Sequence, residues 1–237
     1  MTGSAAQSAD TRLTGFNWEE RTAAPLSRLC DTHTHYRGNE DHLQNLLEVT
    51  RKYNVNRLFI NCPLNDLGAV NVFEKYEKIG ERIIPFYHLD MRENNPDIVT
   101  RAFDAGFWGL KCISPTHAYD DPFYDPVFSR AQALGMPLLC HTGLLSKSAE
   151  TTNAGSGMSL MRADMMDTLA TRYPELLIQG AHIGTPNIME ALLTCVYSPN
   201  LMWDASGGCR HLLIRNPLLM SAAMEHNPGI WNHLTWA

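Results

Sequence analysis

The sequence predicts an α/β fold of the TIM type, a (β/α)8 barrel apparently truncated in its eighth strand and lacking the eighth helix. Three observations carry this prediction. Short apolar runs alternate with amphipathic stretches, several runs close on a histidine or another polar residue, and seven such units precede an eighth run that stops with the chain at Ala237. Strands separated by helices pair in parallel through right-handed crossovers. The unit count alone does not separate a closed barrel from an open sheet; the chemistry at the strand ends does.

The apolar runs are Leu29 to His35, Arg57 to Pro63, Ile83 to Asp90, Phe107 to Ser114, Met136 to Gly143, Leu176 to Gly184 and Leu201 to Gly207, with an eighth opening at His233. Between them, Asn95-Pro96, Asp125-Pro126 and Thr185-Pro186 each place a capping side chain ahead of a proline suited to a first helical turn. Gly80, Gly106 and Gly135 stand where three helices are expected to end. Phe73, Tyr76 and Ile79 recur at helical spacing up to Gly80, as do Val127, Ala131 and Leu134 up to Gly135. Leu144 to Met158 is long, polar and rich in Gly and Ser. It follows the fifth strand on the expected active-site face, so it reads equally as a mobile flap or a plain surface loop.

Composition narrows the function. The chain has 237 residues, 44% of them apolar, enough to bury a barrel-sized core, and its net charge of −6 comes with no basic stripe. Nucleic acid and anionic membranes are therefore not expected partners. No run approaches the length of a membrane span, and the polar start MTGSAAQSADTRLTG lacks the apolar core of a secretion signal. Six dispersed cysteines without a CxxC pair argue against a disulfide framework and for a reducing cytoplasm. Residues 1–25 are expected to form a tail or arm, and residues 26–237 the barrel.

The candidate site is built from histidines. Asp31-Thr-His-Thr-His35 ends the first run, and strand alternation points His33 and His35 the same way, into the barrel. Neutral imidazoles aimed at one point suit a divalent ion. His141 closes the fifth run and His182 the sixth, at the rim where barrels keep their chemistry. Taken singly, each reads as a structural polar residue; as a set they read as metal ligands. Lys111 lies inside the fourth apolar run, where an amine needs a partner or a modification. Three readings stand side by side: a carbamylated bridge between two metals, an ammonium that holds an anionic substrate group, or a side chain snorkelling to the strand end. Asn61, His88, Asp90 and Asp204 could line the pocket without ligating. His117, Tyr119, Asp120 and Asp121 read as loop and helix-entry chemistry, and His42, His211 and His226 as surface residues.

With these motifs in hand, the chain from about Leu29 to Ala237 resembles the amidohydrolase superfamily, in particular its amidohydrolase-related (amidohydrolase 2) branch of metal-dependent hydrolases and decarboxylases. The resemblance rests on the HxH of His33 and His35, Gly106-Phe-Trp-Gly-Leu-Lys111, Asp121-Pro with Asp125-Pro126-Val-Phe, Gly135-Met-Pro-Leu-Leu-Cys-His141-Thr-Gly143, and Ala181-His-Ile-Gly184. It implies metal ligation by His33, His35, His141 and His182, with Lys111 as a further ligand in binuclear members. Catalytic roles would fall on His141, His182 and Lys111. The implied cofactor is one or two divalent ions, zinc first, with manganese, iron or cobalt as alternatives. The implied partner is a small-molecule substrate, a carboxylate among the candidates, and a homo-oligomer is compatible.

The implied activity is attack of metal-activated water on an amide, lactone or ester. The runner-up is non-oxidative decarboxylation of an aromatic or unsaturated acid, and a third reading is a catalytically impaired metal-binding fragment. The third arises because the family pattern ends on an Asp at the tip of the eighth strand, whereas Asn232-His-Leu-Thr-Trp-Ala237 stops short of it. On that pattern, metal binding with weak or absent turnover is expected.

Overall fold

The computed structural model describes residues 29–145, 157–207 and 228–235. Strands and helices alternate as β1 (Leu29–His35), α1 (Glu40–Lys52), β2 (Val55–Leu64), α2 (Ala69–Glu74), β3 (Ile83–His88), α3 (Asp97–Asp104), β4 (Gly109–Cys112), α4 (Asp125–Leu134), β5 (Leu138–Cys140), α5 (Ala163–Arg172), β6 (Ile178–Gly180), α6 (Ile188–Thr194), β7 (Leu201–Asp204) and β8 (Leu234–Thr235). The strands form one parallel sheet in sequence order from β1 to β8. At the seam, Thr32 Oγ1 donates to Thr235 Oγ1 at 3.0 Å, linking β1 to β8. The expected barrel architecture is present. The eighth strand is the two-residue pair Leu234–Thr235, in register with Trp203 and Asp204.

Alternation along the strands makes two cores. Outward side chains such as Leu58, Ile60, Leu110, Cys112, Cys140 and Trp203 pack in the larger core with the helices, which contribute Leu43, Leu47, Phe128, Leu169 and Leu192. Phe59, Ile84, Phe86, Leu139 and Ala181 form a separate cluster. They come from four different parts of the sheet, so their mutual contact requires the sheet to curl around them. Above this inner plug lie the candidate site residues.

The helix-boundary expectations fare unequally. Asn95 Oδ1 accepts from Asp97 N at 3.0 Å and starts α3, and Gly135 closes α4 in the left-handed region. Asp125 opens α4, but its carboxylate reaches across to Arg172 and Tyr173, while Asp121 caps the preceding turn through Phe123 N. Thr185 does not cap a helix. Its hydroxyl donates to His182 O at 2.6 Å, and α6 starts only at Ile188. The helix expected up to Gly80 ends at Glu74; beyond it Tyr76 donates its hydroxyl hydrogen to Glu40 in α1.

Residues 1–28, 146–156, 208–227, 236 and 237 lie outside the described residues. The N-terminal arm, most of the expected flap, and His211 and His226 fall among them. No described helix is long and apolar enough to cross a membrane, and the five cysteines described are free thiols.

Candidate metal centre

The HxH motif behaves as strand geometry requires. His33 Nε2 and His35 Nε2 lie 3.2 Å apart, with His33 8% exposed and His35 at the open mouth. Asp31 holds the start of this segment by accepting from His33 N at 3.0 Å.

Lys111 reaches the same place from β4. It is 1% exposed, its Nζ stands 3.1 Å from His33 Nε2, and its neighbour across the sheet is His88. Burial pulls the Lys111 ammonium down to about 8, despite the opposing pull of the Asp204 charge. Its length does not carry it to solvent, so the snorkelling expectation is corrected: the amine ends inside the barrel. The same burial, followed by the charge on Lys111, lowers His33 and His88 to about 4 each.

His141 and His182 complete the set. His141 follows β5, is 8% exposed, and anchors its backbone N to Cys112 O at 2.8 Å. The buried Tyr119 hydroxyl lies 3.1 Å from Cys112 O and 3.0 Å from His141 O, tying β4 to β5 behind the site. His182 sits in the short turn Ala181–Gly184 after β6, at φ 63 and ψ 21, and Ile183 follows at φ 45 and ψ 46. Two consecutive non-glycine residues in the left-handed region are costly, and such strain collects at functional sites. His182 Nε2 faces His141 Nδ1 at 3.2 Å. The ring of His33 lies 5.2 Å from that of His182, so all four imidazoles share one cluster with Lys111.

The hydrogen-bond partners fix two tautomers. His141 Nε2 points at Leu144 O and His182 Nδ1 at Ser206 O, both at 3.1 Å; the Ser206 hydroxyl, 2.7 Å from His182 Nδ1, gives its own hydrogen to Asp204 and so accepts there too. A carbonyl only accepts, so these nitrogens carry the protons, leaving His141 Nδ1 and His182 Nε2 as lone pairs facing each other. Two such lone pairs repel unless a cation lies between them. Burial, with Lys111 nearby, lowers His141 far below the ordinary histidine range, and burial lowers His182 as well, so neither ring readily takes a bridging proton. Ligands at about 2.0–2.1 Å from a tetrahedral ion stand roughly 3.3–3.4 Å apart, close to the 3.2 Å within each of two pairs, His33 with His35 and His141 with His182. The donor set fits a divalent metal.

Asp204 is the residue the sequence reading underrates. It is 0% exposed at the end of β7, and donors approach both of its oxygens. His33 Nδ1 lies 3.0 Å from Oδ2 and Gln179 Nε2 2.8 Å from it. His182 N lies 3.0 Å from Oδ1, Ser206 N 3.1 Å, and the Ser206 hydroxyl also donates there. Burial favours the neutral acid, but the His33 hydrogen bond and the backbone donors outweigh it and hold the carboxyl well below the usual range. Candidate ligand atoms of His33, His182 and Asp204 lie within 4.8 Å of one another. Both Asp204 oxygens are already engaged by donors. The signal was present in Leu-Met-Trp-Asp, where alternation with the outward Trp203 turns Asp204 inward.

The other candidates separate cleanly. Asn61 Nδ2 donates to Thr34 O at 2.9 Å, while its buried Oδ1 has no partner. Asp90 is taken up by Arg92 in its own turn. His117 stacks on Phe123 at 4.2 Å, in a loop as expected, and His42 is exposed on α1.

No family model matches the chain, and no curated protein matches it. Solved structures do. A probable 2-pyrone-4,6-dicarboxylic acid hydrolase from Acinetobacter baumannii, with citric acid bound, superimposes with a TM-score of 0.62 at 13% identity, covering 88% of this chain and 82% of that one. A 2,6-dihydroxybenzoate decarboxylase from Rhizobium gives 0.57 at 15% identity, covering 89% and 86%. A 5-carboxyvanillate decarboxylase from Novosphingobium aromaticivorans, with bound manganese, gives 0.51 at 14% identity, covering 89% and 85%. Structures described as amidohydrolases also match. The fold is the parallel (β/α)8 barrel that these structures share. At these identities the likeness is one of fold. Within this barrel the His33, His35, Lys111, His141 and His182 cluster stands where barrel enzymes keep their chemistry, at the C-terminal ends of the strands.

Proposed function

We propose that this chain is a metal-dependent enzyme of the amidohydrolase family, hydrolysing a C–O or C–N bond in a small amide, lactone or ester. The observation that carries the reading is the pair of lone pairs, His141 Nδ1 and His182 Nε2, held 3.2 Å apart, with the His182 ring 5.2 Å from that of His33, whose Nε2 lies 3.2 Å from His35 Nε2. His33, His35, His141 and His182 would hold the ion, zinc first by ligand type, with manganese supported by the bound metal of one fold neighbour. The chemistry such an ion supplies is Lewis acidity, which polarises a carbonyl and makes water acidic enough to attack it near neutral pH.

The chain's own residues shape the rest. Lys111, at about 8, is mostly ammonium at neutral pH and presents positive charge beside His33 and His88. It would hold a carboxylate or the oxygen that gains charge as the carbonyl is attacked. The plug of Phe59, Phe86 and Leu139 below keeps the floor dry, which strengthens that attraction. Free cysteines support a reducing, cytoplasmic setting.

Decarboxylation of an aromatic or unsaturated acid is the second reading, supported by the fold neighbours described as decarboxylases. The test is metal analysis of the purified protein followed by two substrate panels. At least one tightly held ion with hydrolysis of esters, lactones or amides supports the proposal. Carbon dioxide released from aromatic acids moves the assignment to the second reading. A protein that takes up no divalent ion removes both.

A further inference from the structure

We propose that Asp204 is a positioning residue that holds His33 as its Nδ1–H tautomer, so that the His33 Nε2 lone pair faces the metal centre. The inference rests on the metal-centre reading above and extends it to a residue outside the ligand set. Asp204 also holds the turn that carries His182. One carboxylate thereby sets the orientation of ligands from the first and the sixth strands, whose positions lie 171 and 22 residues away from it in sequence.

The geometry leaves little freedom. Oδ2 receives His33 Nδ1 and Gln179 Nε2, while Oδ1 receives His182 N, Ser206 N and the Ser206 hydroxyl. A carboxylate accepts on both oxygens and is the side chain of this size that satisfies such a ring of donors. A proton on His33 Nδ1 is required to complete the bond to Oδ2, and a neutral imidazole carries only one. Its Nε2 must then be bare. That atom accepts from Lys111 Nζ at 3.1 Å and lies 3.2 Å from His35 Nε2. Ligating histidines are commonly oriented by a carboxylate on the far nitrogen.

Asparagine at this position has one acceptor and one donor. The backbone N–H groups of His182 and Ser206 are fixed donors, so the amide oxygen would stay with them and the NH2 would replace Oδ2. Gln179 can turn its amide to suit. His33 then either turns its Nδ1 proton to the Ser206 hydroxyl oxygen, 3.1 Å away, or moves it to Nε2; facing the amide NH2 favours the move, which removes the lone pair from the centre.

The experiment begins with the metal-free wild type, its imidazoles labelled with 15N. Long-range proton–nitrogen correlation spectra give the tautomer of His33, assigned by the loss of its signals in His33→Gln. A protonated Nδ1 and a bare Nε2 are expected. A protonated Nε2 overturns the proposal, and this measurement needs no Asp204 variant to fold and no metal to bind. In Asp204→Asn, the His33 proton is expected to move to Nε2, and Zn2+ affinity, measured against a competing chelator, to fall by about 10- to 100-fold. A folded Asp204→Asn protein with an unchanged His33 tautomer and unchanged Zn2+ affinity also overturns it. A wild type that shows the Nδ1–H tautomer but takes up no Zn2+ leaves this inference standing and removes the metal-enzyme reading.

Discussion

His182 Nε2 and His141 Nδ1 face each other across 3.2 Å, each with its other ring nitrogen turned to a backbone carbonyl. Neither carries a proton on the facing side, so the contact is repulsive in the empty protein and becomes favourable once a cation sits between them. Replacing either ring by alanine therefore removes a ligand and also relieves the repulsion. His141→Ala and His182→Ala are each expected to weaken Zn2+ binding by more than about 100-fold, beyond the loss typical of an outer-shell partner. Metal-free Tm should change little or rise. Chelator competition and thermal unfolding measure both, and unchanged Zn2+ affinity in either variant would dissociate the pair from the ion.

Lys111 tests the electrostatics of the same cluster without its metal. Folding lowers its pKa from the ordinary 10.5 to about 8. Above pH 10.5 the amine is neutral in both states. Between 10.5 and 8 the unfolded chain takes the proton first, so stability falls as pH drops, and below 8 the full cost of roughly 3 kcal/mol remains. Lys111→Met is thus expected to stabilise the metal-free protein at pH 7 by about 1–3 kcal/mol in urea unfolding, while it abolishes turnover. Net destabilisation would mean that the contact with His33 outweighs the desolvation.

Acid should act through the histidines. His33 and His88 titrate near 4 in the folded protein against 6.5 ordinarily. Below 6.5 the unfolded chain binds their protons and the folded chain does not, so metal-free stability is complete above 6.5 and is lost as pH falls toward 4. Each ring accounts for on the order of 3 kcal/mol at the acid end. Urea midpoints between pH 7 and 4 check this, and a flat profile would show that the two rings are better hydrated than their packing implies.

Gly207 offers a steric probe of His182. It adopts φ +60, and a Cβ added there would lie 2.8 Å from His182 Nδ1 and 2.9 Å from its Cε1. Gly207→Ala must both strain the backbone, at about 1–2 kcal/mol, and push the ring. Reduced Zn2+ affinity with only modest loss of stability is expected from paired titrations and melts. Wild-type affinity would show that the ring yields without leaving its place.

Much of this architecture was legible from residue pattern. The eight strands, the inward pairing of His33 with His35, and the rim positions of His141 and His182 follow from alternation and from where each apolar run stops. Asp204 was harder to read, because its importance lies in donors brought from β1 and from the turn after β6, and neither is near it in sequence. The early end of α2 is likewise invisible to spacing: Tyr76 keeps the helical interval from Phe73 yet lies beyond the helix, its hydroxyl bonded to Glu40 on α1. Local periodicity cannot register a partner that arrives from another segment.

The left-handed turn at His182 and Ile183 places two demands on one position. Glycine would relax the backbone there, but glycine has no imidazole to offer. Easing the turn would therefore cost the ring, and the imidazole is held in place at the expense of about 1–3 kcal/mol of main-chain strain.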